Sequence, residues 1–132
     1  MFVLDHVSIT VRDLGRARAF YDAIMAALGV TRVSNGSGAI GYGTRSDPVD
    51  TSHTYFSLVA SADFRADDAR HWCFKASSRE QVDAFHRAGT THGGLDDGAP
   101  ALRPEYHASY YAAFLRDPEG NRLEVVSHEI RR

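Results

Sequence analysis

Along residues 4–11 polar and apolar positions alternate, with Leu4, His6, Ser8 and Thr10 on one face and Asp5, Val7, Ile9 and Val11 on the other, which predicts a β-strand. Asp13 is placed to cap a helix running to about residue 28, with Ala17, Phe20, Tyr21, Ile24 and Leu28 as its buried stripe and Gly29 as its end. Short strands are expected near residues 31–34, 39–44 and 54–60, separated by turn chemistry at Asn35-Gly36 and Ser46-Asp47-Pro48. Residues 61–70 are polar and acidic and read as a linker. The pattern then starts again. Residues 71–76 form a strand, Ser77-x-x-Glu80 makes a capping box, and Val82, Phe85 and Ala88 give a helical stripe ended by Gly89. A long connection over residues 90–109, rich in Gly, Asp and Pro, carries His92, Tyr106 and His107 and is expected to be a lid or wall. Residues 110–127 close the chain as a hairpin about the turn Asp117-Pro118-Glu119-Gly120, where Asp bonds its own backbone, Pro presets φ and Gly takes the last conformation.

Sliding the sequence by 65 residues lays His6 on His71, Ala19 on Ala84, Phe20 on Phe85 and Ala23 on Ala88. Strand, cap and helix recur in the same order. This predicts an α+β chain of two βαβββ modules, residues 1–60 and 71–132, joined by 61–70 into one domain, each with a histidine at the same place in its first strand. A slide of 66 residues sets Glu124 against Leu58, so the first module offers no carboxylate there.

A chain of 132 residues with a net charge of -2 and interspersed signs has no basic stripe for nucleic acid. The first ten residues lack a basic region and a long apolar run, so neither a signal peptide nor a membrane span is expected. A single cysteine, Cys73, excludes an intrachain disulfide, and together these features favour a reducing cytoplasm. The Gly36-x-Gly38-x-x-Gly41 string is followed by Gly43 and Pro48 in a β-like neighbourhood and not by a helix, so it reads as a turn and not as a dinucleotide loop.

The candidate chemistry gathers on strands. Glu124 sits among Leu123, Val125 and Val126, and a carboxylate buried there needs a proton, a base or a metal as partner. Cys73 and Lys75 share the face of His71; Cys73 reads as a small buried hydrophobe, and Lys75 and Arg116 as either solvated ends or anchors for an anionic substrate. No G-x-S-x-G elbow or Cys/His/Asp spacing supports covalent catalysis.

Three stretches together, Leu4-Asp5-His6-Val7-Ser8-Ile9, His71-Trp72-Cys73-Phe74 and Asp117-Pro118-Glu119-Gly120-Asn121-Arg122-Leu123-Glu124, resemble the vicinal oxygen chelate superfamily of glyoxalases, extradiol dioxygenases, and fosfomycin- and bleomycin-resistance proteins. The resemblance implies a half-open barrel in which His6, His71 and Glu124 hold a divalent ion. Two histidines and a carboxylate suit Fe2+ and are compatible with Mn2+, Zn2+, Ni2+ or Co2+, and leave positions at which a small substrate chelates through neighbouring oxygens. The implied reactions are dioxygenase, lyase or isomerase, and thiol transfer. Relatives of the extradiol and fosfomycin types place a tyrosine hydroxyl where this chain has Phe114, and Tyr110, on the same face of that strand, is the candidate to replace it. Lys75, Arg116, Phe114 and His107 are the substrate-binding candidates. The resemblance also implies a homodimer with the ligands shared between chains or held within one. The alternative is a non-catalytic protein of the bleomycin-resistance type that binds a small antibiotic without metal.

Overall fold

The computed structural model describes residues 3–131. The elements run β1 (His6–Val11), α1 (Leu14–Ala27), β2 (Arg32–Asn35), β3 (Ala39–Gly43), β4 (Tyr55–Ala60), β5 (His71–Lys75), α2 (Arg79–Thr91), β6 (Leu95–Leu102), β7 (Tyr111–Arg116) and β8 (Arg122–Ser127). Two βαβββ modules therefore follow one another, as the repeat predicts. Each makes a four-stranded sheet, in the orders β1-β4-β3-β2 and β5-β8-β7-β6, with the first strand parallel to the last. Among the described residues β1 and β5 thus each keep one edge without a strand partner.

The helix-facing sides of both sheets share a single core. Ile9, Leu58 and Ile40 from the first sheet and Leu115, Leu123 and Val125 from the second close over Phe20, Ile24, Val82 and Phe85 of the helices. The helices meet at Gly89. A Cβ there would lie 2.3 Å from Leu115 Cδ1, 3.2 Å from Phe20 and 3.3 Å from Ile24, so glycine is what lets the backbone approach. That packing carries α2 through Gly89 to Thr91, past the end expected from the sequence. The N-cap is also one residue later than expected: Ser78 accepts from Gln81 N at 3.2 Å, and the Gln81 side chain accepts from Ser77 N at 2.8 Å.

Two further expectations are corrected. The long connection expected over residues 90–109 contains β6, whose Leu-Asp-Asp-Gly-Ala-Pro-Ala-Leu sequence looks like turns because it is an edge strand with register shifts around Gly98. A short turn at 92–94 and the segment 103–110 remain as loop. In the modules' parallel ladders His6 pairs with Tyr55 and Ser8 with Ser57, while His71 pairs with Arg122 and Cys73 with Glu124. The structural counterpart of Glu124 is therefore Ser57. Leu58 matches Val125, and both are fully buried in the core. A one-residue slip in the sequence alignment turned the strand onto its other face.

The hairpin turn of the second module is fastened to the first. Asp117, 1% exposed, accepts from Glu119 N, Asn121 N and Asn121 Nδ2, and from the Tyr21 hydroxyl of α1 at 2.8 Å. Asn121 Nδ2 also donates to Thr10 O at 3.0 Å. The Glu119 carboxylate accepts from Arg12 N and Asp13 N, at the N-terminus of α1, where negative charge is favoured. Asp117→Ala would orphan the Tyr21 hydroxyl and two turn donors, so it should cost about 3 kcal/mol and lower Tm by roughly 10 °C in thermal circular dichroism. An unchanged Tm would show that the turn is not a fastening. Gly89→Ala should cost about 1–3 kcal/mol by overpacking, whereas Gly38→Ala, whose Cβ meets nothing within 4 Å, should stay near wild type.

Candidate functional site

On each sheet the face turned away from the shared core carries the polar strand positions. In the second module that face presents His71, Cys73 and Lys75 from β5, and Arg122 and Glu124 from β8, with Phe114 of β7 directly across from Glu124. His71 Nε2 lies 3.2 Å from Glu124 Oε1; the imidazole is about half exposed, at 51%, and the carboxylate is 6% exposed. The other oxygen, Oε2, accepts from the Tyr110 hydroxyl. Tyr110 thus reaches the carboxylate from one residue before β7, as its position on the face of Ala112 and Phe114 suggests. Loss of solvent, together with its bond to Glu124 and the carboxylate's charge, holds the phenol well above its ordinary range, so it stays protonated.

His6 lies on the corresponding face of the first sheet. Its Nδ1 is 2.7 Å from Asp5 Oδ2, which leaves Nε2 free to meet another group. Both histidines line a cavity of about 480 Å3 where β1 and β5 face each other, floored by Tyr42, Phe56, Trp72 and Phe74 and rimmed by Tyr55 and Lys75. Even so, among the described residues no three His, Cys, Asp or Glu side chains converge on one point. The chain brings His71 and Glu124 together and leaves His6 apart from them.

The substrate-binding candidates fall in different settings. Lys75 stands exposed at the end of β5. Arg116 is engaged: its Nη1 is 2.6 Å from Asp68 and its Nε 3.8 Å from Asp97, which also meets Arg122 Nε at 3.4 Å. That network gives Arg122 partners other than Glu124. Phe114 packs close to Gly98, with the Arg103 guanidinium 5.4 Å from its ring centre. His107 is exposed, and its Nε2 lies 2.9 Å from His128 Nδ1, both rings packing edge-on against Tyr110.

Sequence reasoning passed over Asp5, His128 and Tyr55. Asp5 had a signal, since it precedes His6 in sequence, whereas Tyr55 meets His6 only across the ladder. His128 had none, because it meets His107 only through the fold. Cys73 is not a buried hydrophobe. It keeps an exposed side beside Glu124, where partial desolvation and then the adjacent carboxylate push its thiol up to about 12. Tyr55 has the opposite shift, its phenol lowered by hydrogen bonds from Ser34 and then Arg45.

The family model for the glyoxalase/bleomycin resistance protein/dioxygenase superfamily matches residues 3–125. The chain belongs to this superfamily. It is similar to the crystal structure of a glyoxalase/bleomycin resistance protein from Albidiferax ferrireducens T118, at 30% identity over 96% of this chain and 98% of that one, with a TM-score of 0.79. A glyoxalase/bleomycin resistance protein/dioxygenase family enzyme from Burkholderia phytofirmans PsJN shares the fold at 20% identity and TM-score 0.69, covering 95% of this chain and 98% of that one. So does a glyoxylase/bleomycin resistance protein/dioxygenase domain from Frankia sp. EAN1pec, at 18% identity and TM-score 0.69, covering 100% and 96%. No curated protein matches the chain. Superfamily members include both enzymes and proteins without enzymatic activity, and many use divalent metals.

The Cys73 shift sets a reactivity. Alkylation by iodoacetamide should stay slow at pH 8 and rise only as the pH approaches about 12, the thiolate being the nucleophile. Glu124→Gln removes the adjacent negative charge and should speed alkylation at pH 8 several-fold. Equal rates in the two proteins, followed by mass spectrometry, would mean that the carboxylate does not act on the thiol.

Proposed function

We propose that this chain is a divalent-metal-dependent enzyme of its superfamily, working as a homodimer in a reducing cytoplasm on a small substrate that offers two neighbouring oxygens. The observation that carries this reading is the His71–Glu124 contact at 3.2 Å, with the Tyr110 hydroxyl on the second carboxylate oxygen. An imidazole nitrogen and a carboxylate oxygen from adjacent strands form a donor pair suited to a divalent ion such as Fe2+, Mn2+, Zn2+, Ni2+ or Co2+.

His6 is the repeat-related third donor, and its Asp5 bond is the kind of outer contact that orients a ligating histidine. It is apart from the pair in one chain, so the reading assigns His6 of one protomer to His71 and Glu124 of its partner. The unpaired edges of β1 and β5 favour such an arrangement. With Ser57 at the position that mirrors Glu124, the first module supplies no carboxylate as a fourth ligand.

When bound, the ion supplies Lewis acidity to a developing oxyanion. The chain's own residues divide the remaining work. Tyr110, kept protonated, donates a hydrogen bond or a proton and does not serve as a base. Phe114 supplies an apolar wall opposite Glu124, and the 103–110 loop holds Tyr110 in place through a backbone bond from Arg103 N to Tyr110 O at 2.7 Å. Cys73, with its raised thiol, is not a nucleophile at neutral pH.

A second reading, a metal-free binder of a small apolar molecule, draws on the aromatic floor of the cavity between β1 and β5. Metal analysis of protein purified without chelator separates the two. The enzyme reading expects bound transition metal that is lost in both His6→Ala and Glu124→Ala. Mixing those two variants in equal amounts should recover about a quarter of the metal, because about half of the reassorted dimers are mixed and each of these has one of its two sites intact. Absence of metal from the wild type, with ligand affinity unchanged in His6→Ala, would favour the binder. In an active preparation Tyr110→Phe should lower kcat by about a hundredfold with metal content unchanged, and full activity would remove Tyr110 from the chemistry.

A further inference from the structure

The outward face of the first sheet has been shaped around one tyrosine. Tyr55, the ladder partner of His6, reaches across β3 towards β2. It can do so only because position 41 is glycine: a Cβ on Gly41 would fall 1.8 Å from the Tyr55 hydroxyl oxygen and 2.7 Å from Ser34 Oγ. The hydroxyl is fixed at 3.3 Å from Ser34 Oγ and accepts from Arg45 Nη2 at 3.2 Å. The Arg45 guanidinium carbon sits 4.5 Å from the Tyr55 ring centre, so the ring holds the cation by its face as well as by its oxygen.

Arg45 has this position without a neutralising carboxylate. Among the described residues no Asp or Glu pairs with it, and the acids of its own loop are used elsewhere. Asp47 accepts from Val49 N and Asp50 N, and Asp50 from Ser52 and His53. The neighbouring cavity leans the same way. Asp5 is its one lining carboxylate among the described residues and is held by His6, while Lys75 stands opposite without an ion pair. A guanidinium that is exposed, oriented by a ring face and a hydroxyl and left unneutralised is suited to bidentate recognition of a carboxylate or phosphate.

We infer that Arg45, positioned by Tyr55 over Gly41, is the anion-recognition residue of the site beside His6, so that the substrate class carries a carboxylate or phosphate in addition to its neighbouring oxygens. This deepens the metalloenzyme reading and rests on it for the neighbouring oxygens; the anion site itself stands on Arg45, Tyr55 and Gly41.

The test uses full-length protein in two states. Loaded with Mn2+, it is titrated calorimetrically with catechol and with 3,4-dihydroxybenzoate, which differ by one carboxylate. The wild type should bind the carboxylated probe about tenfold more tightly, Arg45→Met should bring the two within about twofold, and Arg45→Lys should keep part of the preference. Equal binding of the two probes by the wild type, or a preference untouched by Arg45→Met, overturns the inference while leaving the metal reading intact. In metal-free protein, inorganic phosphate is titrated against the Tyr55 ring resonances. A shift in the wild type that is absent in Arg45→Met supports the anion site even if neither diol binds, an outcome that would instead count against the metalloenzyme. No shift in the wild type overturns the anion site.

Discussion

The buried carboxylate of Asp117 governs how the two halves of this protein meet. It closes its own turn through backbone and Asn121 donors and takes the Tyr21 hydroxyl from the other module, so a local turn motif becomes an intermodule joint. A buried acid needs its oxygens met by donors, as they are here, and Glu119 adds a second carboxylate on the amides before α1. Since β8 begins immediately beyond this turn, the strand that carries Glu124 starts from a point fixed against the first module. The spacing between the His6 face and the Glu124 face is therefore set by a polar joint at one end and by the Gly89 crossing of the helices within the core.

Two identical secondary-structure plans have been given unequal surfaces. In the second module the middle of the outward face holds His71, Cys73 and Glu124, and there loss of solvent and then the Glu124 carboxylate raise the Cys73 thiol and keep Tyr110 protonated. At the corresponding ladder positions the first module has Ser8 and Ser57, hydroxyls 3.1 Å apart, and a glycine under Tyr55 where the second has Phe114. One face carries Glu124 and its proton donors between Lys75 and Arg122; the other is a polar floor edged by Arg45. In the proposed dimer these faces meet.

Much of this was legible in the sequence because it depends on local rules. Alternation located β1 and β5, the Asp13 cap and apolar stripe located α1, and the Asp-Pro-Glu-Gly turn located the last hairpin. The repeat paired His6 with His71. What stayed hidden depends on tertiary contact. β6 looks like loop because its pairing, not its side-chain propensity, makes it a strand. Gly89 looks like a helix end until the neighbouring helix and Leu115 are placed against it. The Leu58 alignment failed because a linear slide absorbs loop-length differences without respecting which face of the strand is turned inward. The His107–His128 and Tyr55–Arg45 contacts join side chains that no spacing rule connects.

The free edges of β1 and β5 have a thermodynamic consequence. A strand edge with unsatisfied backbone groups is a template, and Val3 and Leu4 stand exposed beside one of them. If copies pair along these edges, the folded state is linked to association, and the chain has no single intrinsic stability: its melting temperature rises with protein concentration. Dilution would then do what a destabilising mutation does elsewhere, and a ligand held between copies would act as a folding cofactor for both.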